Sequence, residues 1–491
     1  RDLEYMSVLS GSYDKERIDW LYKELLRNQF HDILPGSALT EANIQAREEV
    51  TAVIDEAGST AKKAAGLLTD DSDSVTVFNT TGFGRSDVIL DGKVSIDGAA
   101  SQTYTDVAGR ELTAVSGVSI PAFGAVSLKK GAPVEAKSPF TRCGDTLDTP
   151  YYTVKFAENG AIASLVDKKT CREIRAEGGN ELGTFWFGED VPAYWDDWNI
   201  DSDTLRLKMK PDMRLVSSEV AADGAAEYRV RSEYKVGQYS SVKMDTVFYS
   251  ASPRVDFQAL VDWKDKHSLL KVGFDLNVMA PSVKNEIQFG YVERPTTRNN
   301  SLEAAKFEVV NHKYSDVSES RYGVALLNDC KYGISQEAID GGVSLKLTLH
   351  KAGTRPDVTG DEGLHEMTWA LLPHEGAFSA PAVLSEAYLL NDPAIAVCGA
   401  LKSGYEPLLS LSADNIIVEA VKPAEYGKKA YAVRLYEAER NRTVCAAAFK
   451  GAARVYETNM LEEIKKELEI KDGKICLEFR PFEIKTILVE Y

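Results

Sequence analysis

The sequence predicts a mainly β protein, in which stacked β-sandwich domains follow a short helical-bundle segment. Helical spacing of apolar residues is confined to about the first 70 residues. Beyond an acidic linker at 70–74, apolar and polar residues alternate in short runs that end in turn residues. Many short strands with few helical patterns between them are typical of stacked β-sandwiches.

Two helices are predicted in the first segment. The first covers 14–30, where apolar residues lie three and four apart, opposite charged ones. The second covers 40–68, with Thr40 or Ser37 as its cap and Gly58 as a point where it breaks. Two helices cannot bury their apolar faces alone. We therefore expect them to be part of a three-helix bundle that packs on another unit.

The strand pattern is cleanest at 343–350, where every odd position is apolar and every even position is polar. This alternation predicts a strand with one buried face. The polar stretch 460–466 is either a short helix or the edge of a strand. Turn and proline clusters divide the chain into four predicted domains, namely a helical segment at 1–70, a small β domain at 71–135, a large β-sandwich domain at 136–380 and a C-terminal β domain at 381–491.

Charge and composition exclude several classes of protein. The 491 residues include 57 Lys and Arg against 75 Asp and Glu, a net charge of −18, which argues against a nucleic-acid partner. No run approaches the roughly 18 apolar residues of a membrane span, and the chain opens at Arg1 without a signal peptide. We therefore expect a cytoplasmic protein whose N-terminal part is missing. Its six widely spaced cysteines are expected to be buried free thiols.

A His-Asp pair beside a Pro-Gly turn is the first candidate for chemistry. His31 and Asp32 precede Pro35 and Gly36, which stop the first helix. A neutral imidazole can ligate zinc, and a carboxylate can accept a hydrogen bond from a sugar hydroxyl. The alternative is that both side chains only cap the end of the helix.

The segment 187–201 combines aromatic residues with carboxylates. Aromatic faces stack on sugar rings and carboxylates bind hydroxyl groups, so a carbohydrate contact is one interpretation. The other is a loop pinned by buried Trp195 and Trp198, with its acids in solvent. Arg294 and Arg298 likewise either bind a carboxylate of a ligand or form structural ion pairs. Motifs of phosphate-binding loops, serine esterases and HExxH zinc enzymes are absent from the sequence.

Several motifs together resemble glycoside hydrolase family 38, the α-mannosidases. They occur in that family's order along nearly the whole chain, at 28–37, 194–198, 286–299, 323–333 and 481–486. The chain is more similar to the bacterial and cytosolic-type members than to the secretory ones. One position departs from the family's pattern, since Asn199 stands where an acid often ends the motif that begins at Trp195.

The resemblance implies that a zinc-containing catalytic barrel precedes the helical bundle and the sandwiches. His31 matches one of the family's four zinc ligands, and Asp32 matches an acid that touches the bound mannose. Trp195 and Asp196 match a segment of the substrate site. The nucleophile and the general acid are implied to lie upstream of Arg1, so no catalytic residue is assigned to this chain.

The reaction implied by the resemblance is retaining hydrolysis of terminal α-mannosides, with zinc as the cofactor. The implied partners are an α-mannoside or oligosaccharide substrate, the upstream barrel and, in a homo-oligomer, further copies of the chain. Neither nucleic acid nor a membrane is expected as a partner. The chain alone would then be inactive. The alternative hypothesis is a non-catalytic carbohydrate-binding or scaffold protein built of β-sandwiches.

Overall fold

The computed structural model describes residues 1–425 and 429–491, and it confirms a mainly β fold preceded by a helical segment. The first helices are α1 (Asp2–Ser10), α2 (Lys15–Arg27) and α3 (Thr40–Gly66). The sequence pattern misses α1 because its residues 3–7 are all buried, which leaves no polar face and no amphipathic period. The three helices share one apolar core with the C-terminal strands, so their partner lies later in the chain.

The longest helix, α3, differs from its prediction in two ways. Gly58 does not break it, because a glycine in a helix costs only about 1 kcal/mol and the helix is packed on both sides of that residue. Thr40 does not cap it either, since Leu39 occupies the cap position and makes no side-chain cap bond. The Thr40 hydroxyl instead donates to Asp357 Oδ1 at 2.6 Å.

Two small sheets follow the helices. In spatial order, their strands are Ile395–Cys398, Ser74–Phe78 and Ala125–Lys129 in the first, and Arg85–Asp91, Glu111–Ile120 and Ala100–Thr105 in the second. The first of these strands comes from the segment assigned to the C-terminal domain, and it pairs antiparallel with Ser74–Phe78. The division into four domains stays a prediction.

Three larger sheets form the central sandwich. The five-stranded sheet consists of Arg172–Glu173, Ile162–Asp167, Tyr152–Phe156, Thr146–Asp148 and Thr141–Cys143. The six-stranded sheet consists of Lys210–Pro211, Thr184–Glu189, Ser268–Leu276, Gly342–Ala352, Gly333–Ile339 and Val309–Val310. The nine-stranded sheet consists of Arg214–Asp223, Glu227–Val236, Ser240–Tyr249, Val255–Trp263, Gly363–Glu375, Tyr322–Asn328, Tyr314–Ser318, Ser282–Ile287 and Gly290–Pro295. One apolar core joins all three, and ring contacts such as Phe257 on Phe274 at 5.6 Å connect the two largest sheets.

The last part of the chain forms two more sheets. One consists of Ile416–Pro423, Ala430–Glu437, Ile484–Glu490, Arg454–Thr458 and Ile464–Leu468, and the other of Leu409–Leu411, Thr443–Phe449 and Ile475–Phe479. The stretch 460–466 therefore leads into an edge strand and forms no helix. The remaining helical elements are α4 (Ser301–Ala304), α5 (Ser385–Asn391) and the π-helical turns Thr204–Lys208 and Ala380–Leu384.

The strand Gly342–Ala352 buries its odd positions 343–349, as its sequence predicts, and Lys346, Thr348 and Lys351 on the opposite face are half-buried. A register shift opposite Leu270 and Lys271 inserts a bulge, which changes the side to which later residues point. His350 therefore lies on the core side, where it stacks on Trp263 at 4.9 Å. Lys351 lies on the outer face, and loops cover that face.

The structure corrects the prediction of buried cysteines. All six are free, as expected, but only Cys445 is buried and the other five are exposed. Among the described residues, no helix combines the length and the apolar character that crossing a bilayer requires.

Candidate functional site

A cavity of about 1090 Å³ lies between the turn that follows α2 and loops that flank the six-stranded sheet. Four parts of the chain line it: the turn after α2, the loop 191–199, His267, and residues 354–356 of the loop 353–361 that follows the strand Gly342–Ala352. The cavity lining includes His31, Asp32, Trp195 and Asp196. The structure thus brings together all four residues that the sequence marked as site candidates.

The turn after α2 presents His31 and Asp32 to this cavity. The helix ends at Arg27 and Asn28 caps it, with Asn28 Nδ2 donating to the Glu24 carbonyl at 2.9 Å. The helix-cap interpretation of His31 and Asp32 is therefore wrong. Their side chains are 68% and 47% exposed, and His31 Nε2 lies 3.5 Å from Asp32 Oδ2.

We call residues 194–199 the tryptophan loop. Its aromatic side chains point outward, since Tyr194 is 75%, Trp195 76% and Trp198 51% exposed. The interpretation of a loop pinned by buried tryptophans is therefore wrong. The loop is closed locally, because the Trp198 and Asn199 amides donate to the Trp195 carbonyl at 2.9 and 2.8 Å. Asn199 Nδ2 also donates to the Tyr194 carbonyl at 3.0 Å, so this amide has a structural role.

The two acids of the tryptophan loop point inward and hold it in place. Asp196 Oδ2 accepts from the Thr354 amide at 2.8 Å, and Asp197 Oδ2 accepts from the Asp357 amide at 3.0 Å. Burial, together with the neighbouring Asp196 charge, raises the pKa of Asp197. Both carboxylates thus bind the loop 353–361, and a direct contact between Asp196 and substrate stays a prediction.

A partly buried lysine connects the tryptophan loop to the six-stranded sheet. Lys351 Nζ donates to Asp190 Oδ2 at 2.5 Å and to the Asp196 carbonyl at 2.7 Å. Lys351 is 15% and Asp190 1% exposed, so this ion pair is largely shielded from solvent. Together the two contacts anchor both ends of the segment 190–196, which contains Trp195. His267, which directly precedes the strand Ser268–Leu276, also contacts this loop, with its Nε2 3.2 Å from Thr354 Oγ1.

Asp357 connects the sandwich to the helical segment. Its carboxylate accepts from Thr40 Oγ1 at 2.6 Å, from Asn43 Nδ2 at 2.8 Å and from the Thr359 amide at 2.9 Å. Burial opposes ionisation of Asp357, but these hydrogen bonds outweigh it and lower its pKa to about 2. Because the His31 turn leads into α3, this contact sets the position of His31 relative to the tryptophan loop.

Only a glycine fits at position 353. A Cβ atom built there would lie 2.0 Å from Asp197 Oδ1 and 3.0 Å from the Asp196 carbonyl carbon. The close approach of the two loops therefore depends on the missing side chain.

The described residues do not by themselves fit a metal centre. None of them form a group of three or more His, Cys, Asp or Glu side chains that could hold an ion. Catalytic zinc usually takes three protein ligands. His31 offers one exposed imidazole, which is enough for one ligand but not for a site.

Comparison with known protein families assigns most of the chain to one family. Residues 147–359 match the model described as "Glycosyl hydrolases family 38 C-terminal domain", and 415–487 match "Glycosyl hydrolases family 38 C-terminal beta sandwich domain". Residues 1–68 match "Alpha mannosidase middle domain". The chain belongs to glycosyl hydrolase family 38. It corresponds to the C-terminal portion of the family's α-mannosidases.

Individual proteins that are similar to this chain are named as α-mannosidases. "Alpha-mannosidase 2C1" of Mus musculus is 30% identical over 99% of this chain, and "Alpha-mannosidase G" of Dictyostelium discoideum is 28% identical over 98% of it. The alignments cover 47% and 49% of those two proteins, so the chain spans about half the length of the curated relatives that it matches. The crystal structure of an alpha-mannosidase from Enterococcus faecalis V583 has the same fold, with a TM-score of 0.80 at 16% identity, over 100% of this chain and 65% of that one.

Sequence reasoning missed the residues that hold the loops of this cavity together. Asp196 and Thr354 are 158 residues apart, and Thr40 and Asp357 are 317 apart. No local pattern connects such pairs. The density of Gly, Thr and Asp between 353 and 361 is the one signal that marks this loop as unusual.

Proposed function

We propose that this chain forms one wall of the mannoside-binding site of a retaining α-mannosidase. The observation that supports this most is the shared cavity, in which exposed Trp195 and Trp198 stand opposite Asp32. An aromatic face stacks on the C–H face of a sugar ring, and a carboxylate accepts hydrogen bonds from its hydroxyl groups. The wall therefore offers both contacts that a mannose ring requires.

Asp32 is the acid best placed to bind a sugar hydroxyl. Its side chain is half exposed, and His31 is the one basic side chain within 4 Å of its carboxylate in the described chain. Asp196 and Asp197 already accept hydrogen bonds from the loop 353–361. Asp32 is thus assigned to substrate binding, and Asp196 to positioning the tryptophan loop.

The chain is proposed to lack the catalytic carboxylates. Retaining hydrolysis needs two acids roughly 5 to 5.5 Å apart on either side of the scissile bond, one as the nucleophile and one as the general acid. The adjacent acids of the cavity, Asp196 and Asp197, accept hydrogen bonds from amides of the loop 353–361 and are not assigned to the reaction. The nucleophile and the general acid are therefore assigned to the barrel that the resemblance implies, and the chain alone is expected to be inactive.

Zinc is proposed as the cofactor of the complete enzyme. His31 would supply one imidazole ligand, and the remaining ligands would come from the barrel. A bound zinc ion supplies a Lewis acid that orients sugar hydroxyls. Asp32, 3.5 Å from the imidazole, would hold a neighbouring part of the same sugar.

The cytoplasm is the proposed location. The six cysteines are unpaired and five of them are exposed, which suits a reducing compartment.

The test compares the isolated chain with the natural protein that contains it. Both are incubated with an aryl α-mannoside, with and without added zinc, and an aryl β-mannoside serves as the control substrate. The natural protein should hydrolyse only the α-mannoside and release the α anomer first, as seen by NMR. Turnover by the rigorously purified chain would refute the assignment of the catalytic acids, and an inactive natural protein would refute the α-mannosidase proposal.

A further inference from the structure

A second cavity, of about 270 Å³, lies on the outer face of the six-stranded sheet. The π-helical turn Thr204–Lys208 and the loop after the strand Gly290–Pro295 help to enclose it. Neither the family resemblance nor the proposed function gives this cavity a role. Its lining is unusual for so acidic a chain, because most of its charged side chains are cationic.

Four cationic side chains and one carboxylate line this cavity. The carboxylate, Glu337, pairs with Arg298 at 3.2 Å. Lys271 lies deeper and pairs with Glu308 at 2.7 Å. Arg206 and Lys346 make no ion pair within the described residues, so the cavity holds two uncompensated positive charges.

Lys346 is held in place without an anionic partner. Its Nζ lies 4.0 Å from the centre of the Trp186 ring, a cation–π contact that fixes the ammonium at the cavity wall. The indole can reach this position because Gly273 lies beneath it, where a Cβ atom would be 2.6 Å from Trp186 Nε1. The cation is therefore pre-organised, which lowers the entropic cost of binding an anion.

A buried hydroxyl completes the cavity. Ser344 is 2% exposed, and its Oγ has no hydrogen-bond partner within the described residues. It lies two residues before Lys346 on the same strand, so both side chains point to the same side of the sheet. Asp275, opposite Ser344 in the adjacent strand, already accepts from the Asn180 amide and side chain at 2.9 and 2.7 Å. A buried polar atom left without a partner is costly, and a bound ligand would remove that cost.

We propose that this cavity binds a small phosphate monoester. The phosphate dianion would lie against Lys346 and Arg206 and neutralise their two charges, and a hydroxyl group of the ligand would pair with Ser344 Oγ. The cavity has room for a group of about the size of one sugar phosphate. The proposal does not depend on the mannosidase function, since none of these residues lines the larger cavity.

Calorimetric titration of the chain with inorganic phosphate, and separately with mannose 6-phosphate, tests this proposal. Saturable binding of one equivalent is expected, and Lys346→Met should weaken it about ten- to hundredfold, because one charge-assisted hydrogen bond is lost. Lys346→Arg should retain most of the affinity. Lys284→Met is the matched control, since Lys284 also lies over an aromatic ring, at 5.8 Å from Tyr291, but outside the cavity.

Comparing the two ligands distinguishes a site for a sugar phosphate from a site for free phosphate. Tighter binding of mannose 6-phosphate than of phosphate, reversed by Ser344→Ala, would support a site for a sugar phosphate. Equal binding of both would support a site for free phosphate alone and overturn the monoester assignment. Equal weakening by Lys284→Met and Lys346→Met, or no saturable binding by a chain whose thermal unfolding is normal, would overturn the site itself.

Discussion

Replacing Asp357 by Asn tests whether one carboxylate fixes the helical segment to the sandwich. The side chain keeps its shape in this variant but loses its charge. In the structure, four hydrogen bonds depend on that charge, from Thr40 Oγ1, Asn43 Nδ2, and the Thr359 amide and hydroxyl. Asp357 is 4% exposed, so solvent screens these bonds little.

The expected loss of stability in Asp357→Asn follows from the pKa of Asp357. A fall from the ordinary value of 3.8 to about 2 corresponds to about 2 kcal/mol of stability at neutral pH. Because the pKa of Asp357 is lower in the folded state, this contribution is complete above the unfolded pKa and is lost as the pH falls toward 2. Asp357→Asn should therefore lower the free energy of unfolding by about 2 kcal/mol at pH 7 and by only about 1 kcal/mol at pH 3.

Urea denaturation from pH 7 to pH 3, followed by circular dichroism, measures this difference. Asp71→Asn, a substitution at an exposed carboxylate of the linker, is the control and should change stability little at any pH. A difference between wild type and Asp357→Asn that stays constant with pH would refute the electrostatic explanation. A difference near zero at pH 7 would refute the role of Asp357 as a link.

Three further predictions concern the cavity. Trp195→Ala should leave thermal unfolding unchanged, because the side chain is 76% exposed, and should raise the KM of the natural enzyme for α-mannosides about fivefold. Gly353→Ala should destabilise the chain by about 1 to 3 kcal/mol in denaturation experiments, whereas Gly58→Ala, with open space around it, should not. In the natural enzyme, His31→Ala should lower both turnover and zinc content, and normal values of both would contradict the assignment of His31 as a zinc ligand. Asp32→Asn should mainly raise the KM for α-mannosides, about tenfold or more.

The sequence predicted the elements whose pattern is local. α2 and α3 have clear apolar periods, and the strands of the sandwich alternate over enough residues to be recognised. α1 was missed because it is buried on all sides. The strand Gly342–Ala352 was only partly predicted, since a bulge and a covering layer of loops depend on contacts with distant parts of the chain.

The site was predicted to a similar extent. Motif resemblance found His31, Asp32 and the tryptophan loop, which line one cavity. It could not indicate which side chains of that loop face outward. The amides of Thr354 and Asp357 decide which side chains face outward, because they donate hydrogen bonds to Asp196 and Asp197 and so turn these acids inward. These pairs are distant in the sequence and meet only in the folded chain.

The orientation of the tryptophan loop is explained by the hydrogen bonds that its two carboxylates accept. Trp195 and Trp198 would ordinarily bury their rings, and aspartates would ordinarily remain in water. Here the amides of the loop 353–361 and the ammonium of Lys351 provide enough donors to hold the acids inside. The short loop can turn only one set of side chains inward, so bonding the acids leaves the aromatic rings exposed. Polar contacts beneath the loop thereby maintain the exposed aromatic surface that is proposed to bind a sugar.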